Sequence, residues 1–306
     1  MKTISPLRSL AVAAALTLTA SALAGVAAPA RAQGVDFAKA EITTVKLTDS
    51  LYVLVAGPAQ GNILASVGPD GILIVDTMYP QMHDKIVAAL KAISPQPIRY
   101  VVNTHLHGDH TGGNAAMARL GAVIISQDNM RKRMAEGPNP SPAAALPTMT
   151  YSDTLTLHFN GDDILIFHPL KAHTDGDSII YFRKADVMQV GDVPASLRYP
   201  NIGVEAGGTV DGMIAAGRQV MQVANPKTKI VSGHLGPVIG FREIEQQIVM
   251  FEAVRDRVTA QIKAGKSEAE VVASKPTKDF DQGRLGGAIT PDRFVSLVYQ
   301  DLSKPK

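Results

Sequence analysis

Short apolar runs separated by glycine and proline dominate the chain just beyond residue 40. Ile42 to Lys46, Leu51 to Ala56, Asn62 to Val67 and Gly71 to Asp76 read as strands, with Gly57-Pro58, Gly61 and Gly68-Pro69-Asp70-Gly71 as the turns between them. The period then changes: Met82, Ile86, Val87, Leu90 and Ile93 recur three and four residues apart, which predicts an amphipathic helix from Pro80 to Ile93. Ile98 to Asn103 predicts a buried strand. In the second half Leu155 to His158, Ile164 to His168, Ser178 to Phe182, Val187 to Val190 and Lys229 to Ser232 predict strands, and Val210 to Val223 a helix. Ile244, Ile248, Phe251, Val254, Val258 and Ile262 line one long helix face that stops at Gly265. Ser267 with Glu270 forms a capping box for a short helix, and Thr290-Pro291 opens a last one. Two sets of strands with helices between them predict an α/β chain of two packed sheets with helices outside.

Two segments depart from this rhythm. Asn129 to Pro147 contains Pro138, Pro140, Pro142 and Pro147, which excludes a regular strand. It predicts a helical turn followed by a loop, either a flap over a pocket or an ordinary surface connection. At the start, Lys2 and Arg8 precede an Ala/Leu-rich run from Ser9 to about Pro29, and Ala30-Arg31-Ala32 makes an A-x-A pattern. This predicts a secretory signal peptide over residues 1–32 and one folded domain over 33–306. The alternative, a membrane anchor, fits the small residues and the cleavage pattern less well.

Removing that segment changes the charge picture. The chain has 30 Lys+Arg against 28 Asp+Glu, and loss of Lys2, Arg8 and Arg31 leaves 27 against the same 28. A near-neutral exported chain with no block of basic residues predicts neither a nucleic-acid partner nor stable membrane association once the signal is cleaved. The expected location is periplasmic or secreted. Zero cysteines exclude disulfides, thiolate metal ligands and a cysteine nucleophile, so stability must come from a core that 45% apolar residues can supply. Nothing in the pattern specifies an oligomer.

The densest chemistry lies just after the strand ending at Asn103. Thr104-His105-Leu106-His107-Gly108-Asp109-His110-Thr111-Gly112-Gly113 places three imidazoles and a carboxylate within six positions. Neutral imidazole and carboxylate suit a borderline cation such as Zn²⁺, and glycines let the backbone bend to aim the side chains at one point. Other histidines and acids fall where strands run out: His173 in His173-Thr174-Asp175-Gly176-Asp177-Ser178, Asp192 after Val187 to Gly191, and His234 after Ser232. Ligands on strand ends hold their geometry better than ligands on free loops. His83, His158 and His168 read as ordinary surface or strand histidines.

His105-x-His107-x-Asp109-His110, then His173, Asp192 and His234, resemble the ligand series of the metallo-β-lactamase superfamily. Five of the eight histidines fall on its positions. Ile72-Leu73-Ile74-Val75-Asp76 is similar to the family's strand ending in a supporting aspartate. The resemblance implies a four-layer αββα sandwich and two Zn²⁺ ions, one on His105, His107 and His173, the other on Asp109, His110 and His234, with Asp192 bridging. It further implies that Asp109 is catalytic, orienting the attacking hydroxide or shuttling its proton, and that Asp76 fixes a histidine tautomer. Arg198 and Tyr199 are candidate substrate contacts, as carboxylate binder and oxyanion donor.

The implied function is a dinuclear zinc hydrolase that opens a cyclic amide of a small-molecule, β-lactam-like substrate. Broad-activity lactamases of the family carry cysteine at the Asp192 position and no histidine at His110. This chain instead resembles the family's lactonases and glyoxalase II-like thioesterases there, which makes lactone or thioester hydrolysis the alternative. A non-catalytic metal-binding protein is a third reading, disfavoured by the full ligand set. A flavodiiron protein would carry glutamate at His107.

Overall fold

The computed structural model describes Met1 and residues 36–56, 61–193, 198–234, 236, 238–284 and 287–304. The expected signal peptide, apart from Met1, lies outside the described residues. Among the described residues no helix is long and apolar enough to cross a membrane.

The chain opens with an antiparallel meander: β1 Ile42–Lys46, β2 Leu51–Ala56, β3 Gly61–Gly68 and β4 Gly71–Val75. Helix α1, His83–Ile93, then crosses to β5, Ile98–Val102, which pairs parallel to β4. Two short helices follow, α2 Gly108–Thr111 and α3 Asn114–Arg119, and then β6 Val123–Gln127, α4 Asp128–Glu136 and β7 Met149–Tyr151. Among the described residues these strands make one sheet in the order β1 to β7.

The second sheet is built from β8 Thr154–Phe159, β9 Asp162–Phe167, β10 Ile179–Phe182 and β11 Val187–Gln189, then α5 Val210–Val223 and β12 Lys229–Val231. Its order is β12-β11-β10-β9-β8, with β11 and β12 parallel and the other pairs antiparallel. The chain finishes in α6 Phe241–Lys263, α7 Glu268–Ala273 and α8 Pro291–Leu302.

The apolar patterning explains the layering. In β4, Leu73 and Val75 enter the core between the sheets while Ile72 and Ile74 pack outward beneath α1, so all five residues of the strand are buried. Such two-sided burial is what a strand needs when helices cover its outer face. Phe159, Ile164, Ile180, Phe182, Val187 and Val231 meet β4 from the second sheet. On the far side Ile179, Met188 and Ile230 pack against Met213 and Val220 of α5, Phe251 and Val254 of α6, and Phe294 of α8. The two packed sheets with helices outside that the pattern predicts, and the four-layer αββα arrangement that the resemblance implies, are what is observed.

Some elements differ from expectation. Strand β6 was not legible because its apolar stretch, Val123–Ile125, runs straight into polar Ser126 and Gln127, both buried here. The proline-rich segment folds back on itself: Arg131 Nη1 donates to Pro147 O (2.8 Å), Ser141 N to Met134 O (2.7 Å) and Asn114 Nδ2 to Ala145 O (3.2 Å). It is a packed surface connection anchored to α4 and α3.

Strand direction gathers the polar residues at one edge. The carboxyl ends of β4, β5, β11 and β12 and the amino end of β10 lie there, and hydrogen bonds across the sandwich lock it. Ser178 N donates to Thr104 O (2.7 Å), and Asn62 N to Gly233 O (2.9 Å).

Candidate metal centre

Asp76, at the end of β4, organises the loop after β5. Its carboxylate accepts from Thr104 N (2.7 Å) and Thr104 Oγ1 (2.7 Å) and lies 2.8 Å from His110 Nδ1. Thr104 Oγ1 also contacts His105 Nδ1 at 3.0 Å. One buried carboxylate thus sets the path of the loop and turns the Nε2 atom of His110 toward the cluster, the service that outer partners give to ligand histidines.

The backbone beyond Asp76 is strained, with φ of +70° at Asp76 and +53° at Met78. Non-glycine residues reach this region at a cost of about 1–3 kcal/mol each. Its compensation is a grip on the histidine loop, because Thr77 N and Thr77 Oγ1 both donate to His110 O (2.8 and 3.1 Å). The Gly112-Gly113 pair permits that approach: a Cβ at Gly112 would lie 2.5 Å from Pro80 Cδ, and one at Gly113 2.7 Å from Thr77 O.

The donor atoms converge in two groups. His107 Nδ1 lies 3.1 Å from His105 Nε2 and 3.0 Å from His173 Nε2. Tetrahedral zinc with bonds of about 2.0–2.1 Å has donor-to-donor edges of about 3.3 Å, so these three imidazoles already occupy one face of such a polyhedron. His173 is held from behind by Asn201 O, 3.0 Å from its Nδ1. In the second group His234 Nε2 lies 3.4 Å from His110 Nε2 and 3.3 Å from Asp109 Oδ2.

Asp192 sits between them. Its Oδ2 is 3.9 Å from His105 Nε2, 3.8 Å from His173 Nε2 and 3.3 Å from His234 Nε2, and its Oδ1 is 3.6 Å from His110 Nε2. Oδ1 is buried without a hydrogen-bond partner. A cation supplies what a buried, unpartnered carboxylate oxygen among imidazoles needs. Gly233 leaves room for that oxygen: a Cβ there would fall 2.5 Å from Asp192 Oδ1 and 2.8 Å from His110 Cε1.

The electrostatics divide the histidines in the same way. Burial first, then neighbouring His110 and His173, hold His105 well below the usual histidine value, and burial with His173 brings His107 down to about 4. Both are neutral donors at pH 7. Burial also opposes charge on His110 and His234, yet Asp109, Asp76 and Asp192 outweigh it and raise His110 to about 9, while Asp192 and Asp109 carry His234 well above its ordinary value. Burial likewise resists ionisation of Asp109 and Asp192, but the facing His110 and His234 keep both carboxyls below the usual range. The donor set therefore fits one or two divalent cations: His105, His107 and His173 form one candidate group, and Asp109, His110 and His234 another.

Seven of the residues singled out in the sequence as ligands come together here, with Asp76 behind them. The remaining candidates do not. Tyr199 is a correction: its ring is buried against Phe294 (5.2 Å between centroids) with the Arg284 guanidinium over it, and its hydroxyl donates to Asp281 Oδ1 (2.6 Å). That hydroxyl is committed to the C-terminal layer, not to an oxyanion. The Arg198 side chain likewise packs along Gly287, where a Cβ would meet its Cδ at 2.8 Å. His158 is exposed on an edge strand beside Asp163, His168 is bound to Asp177 O, and His83, expected on an exposed helix face, opens α1 half-buried with its Nδ1 buried.

Sequence reasoning missed Tyr79. Burial raises its phenol to about 12, with the Asp109 and Asp192 carboxylates adding to the rise. It stacks edge-on against Phe37 at 5.1 Å. Its position three residues beyond Asp76, before Pro80, was the available signal.

Residues 56–234 match the metallo-beta-lactamase superfamily. The chain belongs to this superfamily. Related curated proteins are distant. The metallo-beta-lactamase type 2 of Bacillus sp. (strain 170) is 21% identical over 180 residues, 58% of this chain and 67% of that one. The alpha subunit of 2,4-dinitroanisole O-demethylase from Nocardioides sp. (strain JS1661) is 26% identical over 136 residues, 42% of this chain, and the match spans only 40% of the subunit. Among solved structures, a metallo-beta-lactamase from Pontibacter korlensis superposes with a TM-score of 0.60 at 19% identity, covering 69% of this chain and 99% of that one. A double mutant of the sec-alkyl sulfatase PisA1 gives a TM-score of 0.67 at 16% identity, over 85% of this chain and 50% of its own. At these identities the structural likeness shows the superfamily fold, which hosts more than one chemistry.

Proposed function

We propose that this member of the superfamily is a dinuclear zinc hydrolase that opens a cyclic amide, with a β-lactam-like small molecule as its favoured substrate. The observation that carries the metal-dependent part of this reading is Asp192, a part-buried carboxylate within 4 Å of four imidazole nitrogens and with one buried oxygen otherwise unpartnered. In this reading His105, His107 and His173 would hold one zinc, Asp109, His110 and His234 would hold the other, and Asp192 would serve both. Bound zinc would lower the pKa of water enough to supply hydroxide at neutral pH and would polarise the scissile carbonyl.

The chain's own residues do the rest. Asp109, held ionised with Oδ2 beside His110 and His234, would take the proton of the attacking water on its other carboxylate oxygen and return it to the leaving nitrogen. Asp76 keeps the proton of His110 on Nδ1, so that Nε2 remains a donor to the cation. The Tyr79 phenol, raised to about 12 by burial and by the Asp109 and Asp192 carboxylates, stays protonated and would be available to donate a hydrogen bond to substrate.

A second reading is supported by the aspartate at position 192 with His110 present, the pattern similar to lactonases and thioesterases: the same site would then cleave a lactone or thioester. The mature protein is proposed to act in the periplasm or outside the cell, without a nucleic-acid or membrane partner. The deciding experiment is kcat/KM of the zinc-loaded protein for a chromogenic cephalosporin, an acyl-homoserine lactone and a glutathione thioester. Chelator-sensitive cephalosporin turnover supports the first reading. Turnover confined to lactone or thioester supports the second, and silence on all three with zinc bound would sink both.

A further inference from the structure

His173 is the one candidate ligand of its zinc group that does not come from the β5 loop, and its placement is controlled from two segments remote in sequence, the 201–208 loop and α4. The loop at 201–208 meets it twice, through Asn201 O on its Nδ1 (3.0 Å) and through Gly203 N, which donates to His173 O (2.9 Å). The fit is tight enough that a Cβ at Gly208 would lie 2.2 Å from His173 O. Two residues beyond His173, Asp175 N donates to Ala206 O (3.0 Å), joining the two loops again.

Helix α4 fastens this pair of loops. Arg133 grips Asp175 with both arms of its fork, Nε to Oδ1 at 2.5 Å and Nη2 to Oδ2 at 2.6 Å, and its Nη1 donates to Glu205 O (3.4 Å). Asn129, one turn earlier, donates from Nδ2 to Asp175 O (2.9 Å). Close packing leaves the loops little slack: a Cβ at Gly176 would strike Met130 N at 2.6 Å, and one at Gly207, where φ is +79°, would strike both Asp175 Oδ2 and Arg133 Nη2. The ion pair is partly buried, with side-chain exposures of 34% and 22%, so it is less screened than a surface pair.

We propose that Arg133 is a positioning residue for His173, fixing the imidazole toward His105 and His107 by tying α4 to the His173 loop and the 201–208 loop through Asp175 and Glu205 O. The proposal rests on the reading of this site as a metal centre and on no particular substrate. A planar five-donor guanidinium is needed because it binds a carboxylate in two places while reaching a carbonyl, which a lysine ammonium cannot copy.

The test is zinc affinity of the full-length mature chain by competition with a chromophoric chelator, with the visible spectrum of the cobalt-substituted protein recorded alongside. Loss of a partner behind a ligand histidine weakens metal binding by about 10- to 100-fold. Arg133→Ala is expected to weaken the tighter zinc equivalent by about 10-fold and to change the cobalt bands. Arg133→Lys should recover only part of the loss, and Asp175→Asn should match Arg133→Ala, the double variant losing no more than either. Arg257→Ala, which removes a surface ion pair with Asp279 (2.7 Å), should leave affinity and spectrum unchanged. Should Arg133→Ala fail to fold, Asp175→Asn carries the test. Zinc affinity and cobalt bands unchanged while thermal stability falls would reduce the pair to a structural one and overturn the proposal. Wild-type protein that takes up no zinc would overturn the metal reading, and this inference with it.

Discussion

Gly233→Ala probes the space that Asp192 and His110 share. The added methyl would sit 2.5 Å from Asp192 Oδ1, 2.8 Å from His110 Cε1 and 3.2 Å from the Gly191 carbonyl carbon. Non-bonded heavy atoms rest at roughly 3.5 Å, so about 1 Å must be made up. The backbone cannot yield it, because Gly233 N donates to Gly191 O (2.8 Å) and Gly233 O accepts from Asn62 N (2.9 Å). The side chains must therefore move, and Asp192 is the one without a hydrogen bond on the struck oxygen. If Asp192 bridges two ions as proposed, displacing it by that distance would disrupt both candidate groups. The expected loss is about 10- to 100-fold in affinity for each equivalent, or about 1.4–2.7 kcal/mol, and kcat/KM falls at least as far. Gly108→Ala is the internal control: Gly108 lies between candidate ligands His107 and Asp109, yet a Cβ there meets nothing within 4 Å. The assay is zinc stoichiometry after gel filtration together with chelator competition for both variants. A Gly233→Ala protein that retains two zinc ions at wild-type affinity would refute the placement of Asp192.

Other consequences are equally direct. Asp76→Ala strands three buried donors, Thr104 N, Thr104 Oγ1 and His110 Nδ1; at about 1–3 kcal/mol each before relaxation, chemical denaturation should show at least about 3 kcal/mol of lost stability, and a loss below 1 kcal/mol would contradict the network. Zinc binding should be asymmetric in protons. His105 and His107 are neutral at pH 7, whereas His110, raised to about 9, and His234, also raised, carry protons that a cation must displace. Affinity of the second equivalent should therefore climb from pH 6 toward 9, and calorimetry in buffers of different ionisation enthalpy should count the protons released by His110 and His234 as it binds. In the zinc-free protein the same raised values stabilise the fold below pH 6.5 and cease to do so as pH passes about 9, so its melting temperature should drop over that interval. Tyr79→Phe should leave zinc content intact and lower kcat/KM by about five-fold, the worth of roughly one hydrogen bond of 1 kcal/mol; loss of zinc instead would move Tyr79 into the metal scaffold.

The sequence by itself determined two sets of strands with helices between them and the cluster of donors at 105–110, because both are local. Apolar periods of two and between three and four are written into consecutive residues, and three imidazoles with a carboxylate in one six-residue loop after a strand need no distant partner to be noticed. His173, Asp192 and His234 were legible only as residues at strand ends together with a family resemblance. Their convergence was decided by strand direction, since parallel β11 and β12 bring Asp192 and His234 side by side while antiparallel β10 returns His173 to the same edge. Contacts made through space left no trace in the pattern. Tyr199 looked like a donor beside the site and is instead locked between Phe294 and Arg284, because the C-terminal helices supply an aromatic layer more than eighty residues away in sequence. Tyr79, Asn201 O and the Arg133–Asp175 fork were decided in the same way. A side chain's direction follows from the backbone dihedrals and the neighbours that tertiary packing assigns to it, and residue type alone carries neither.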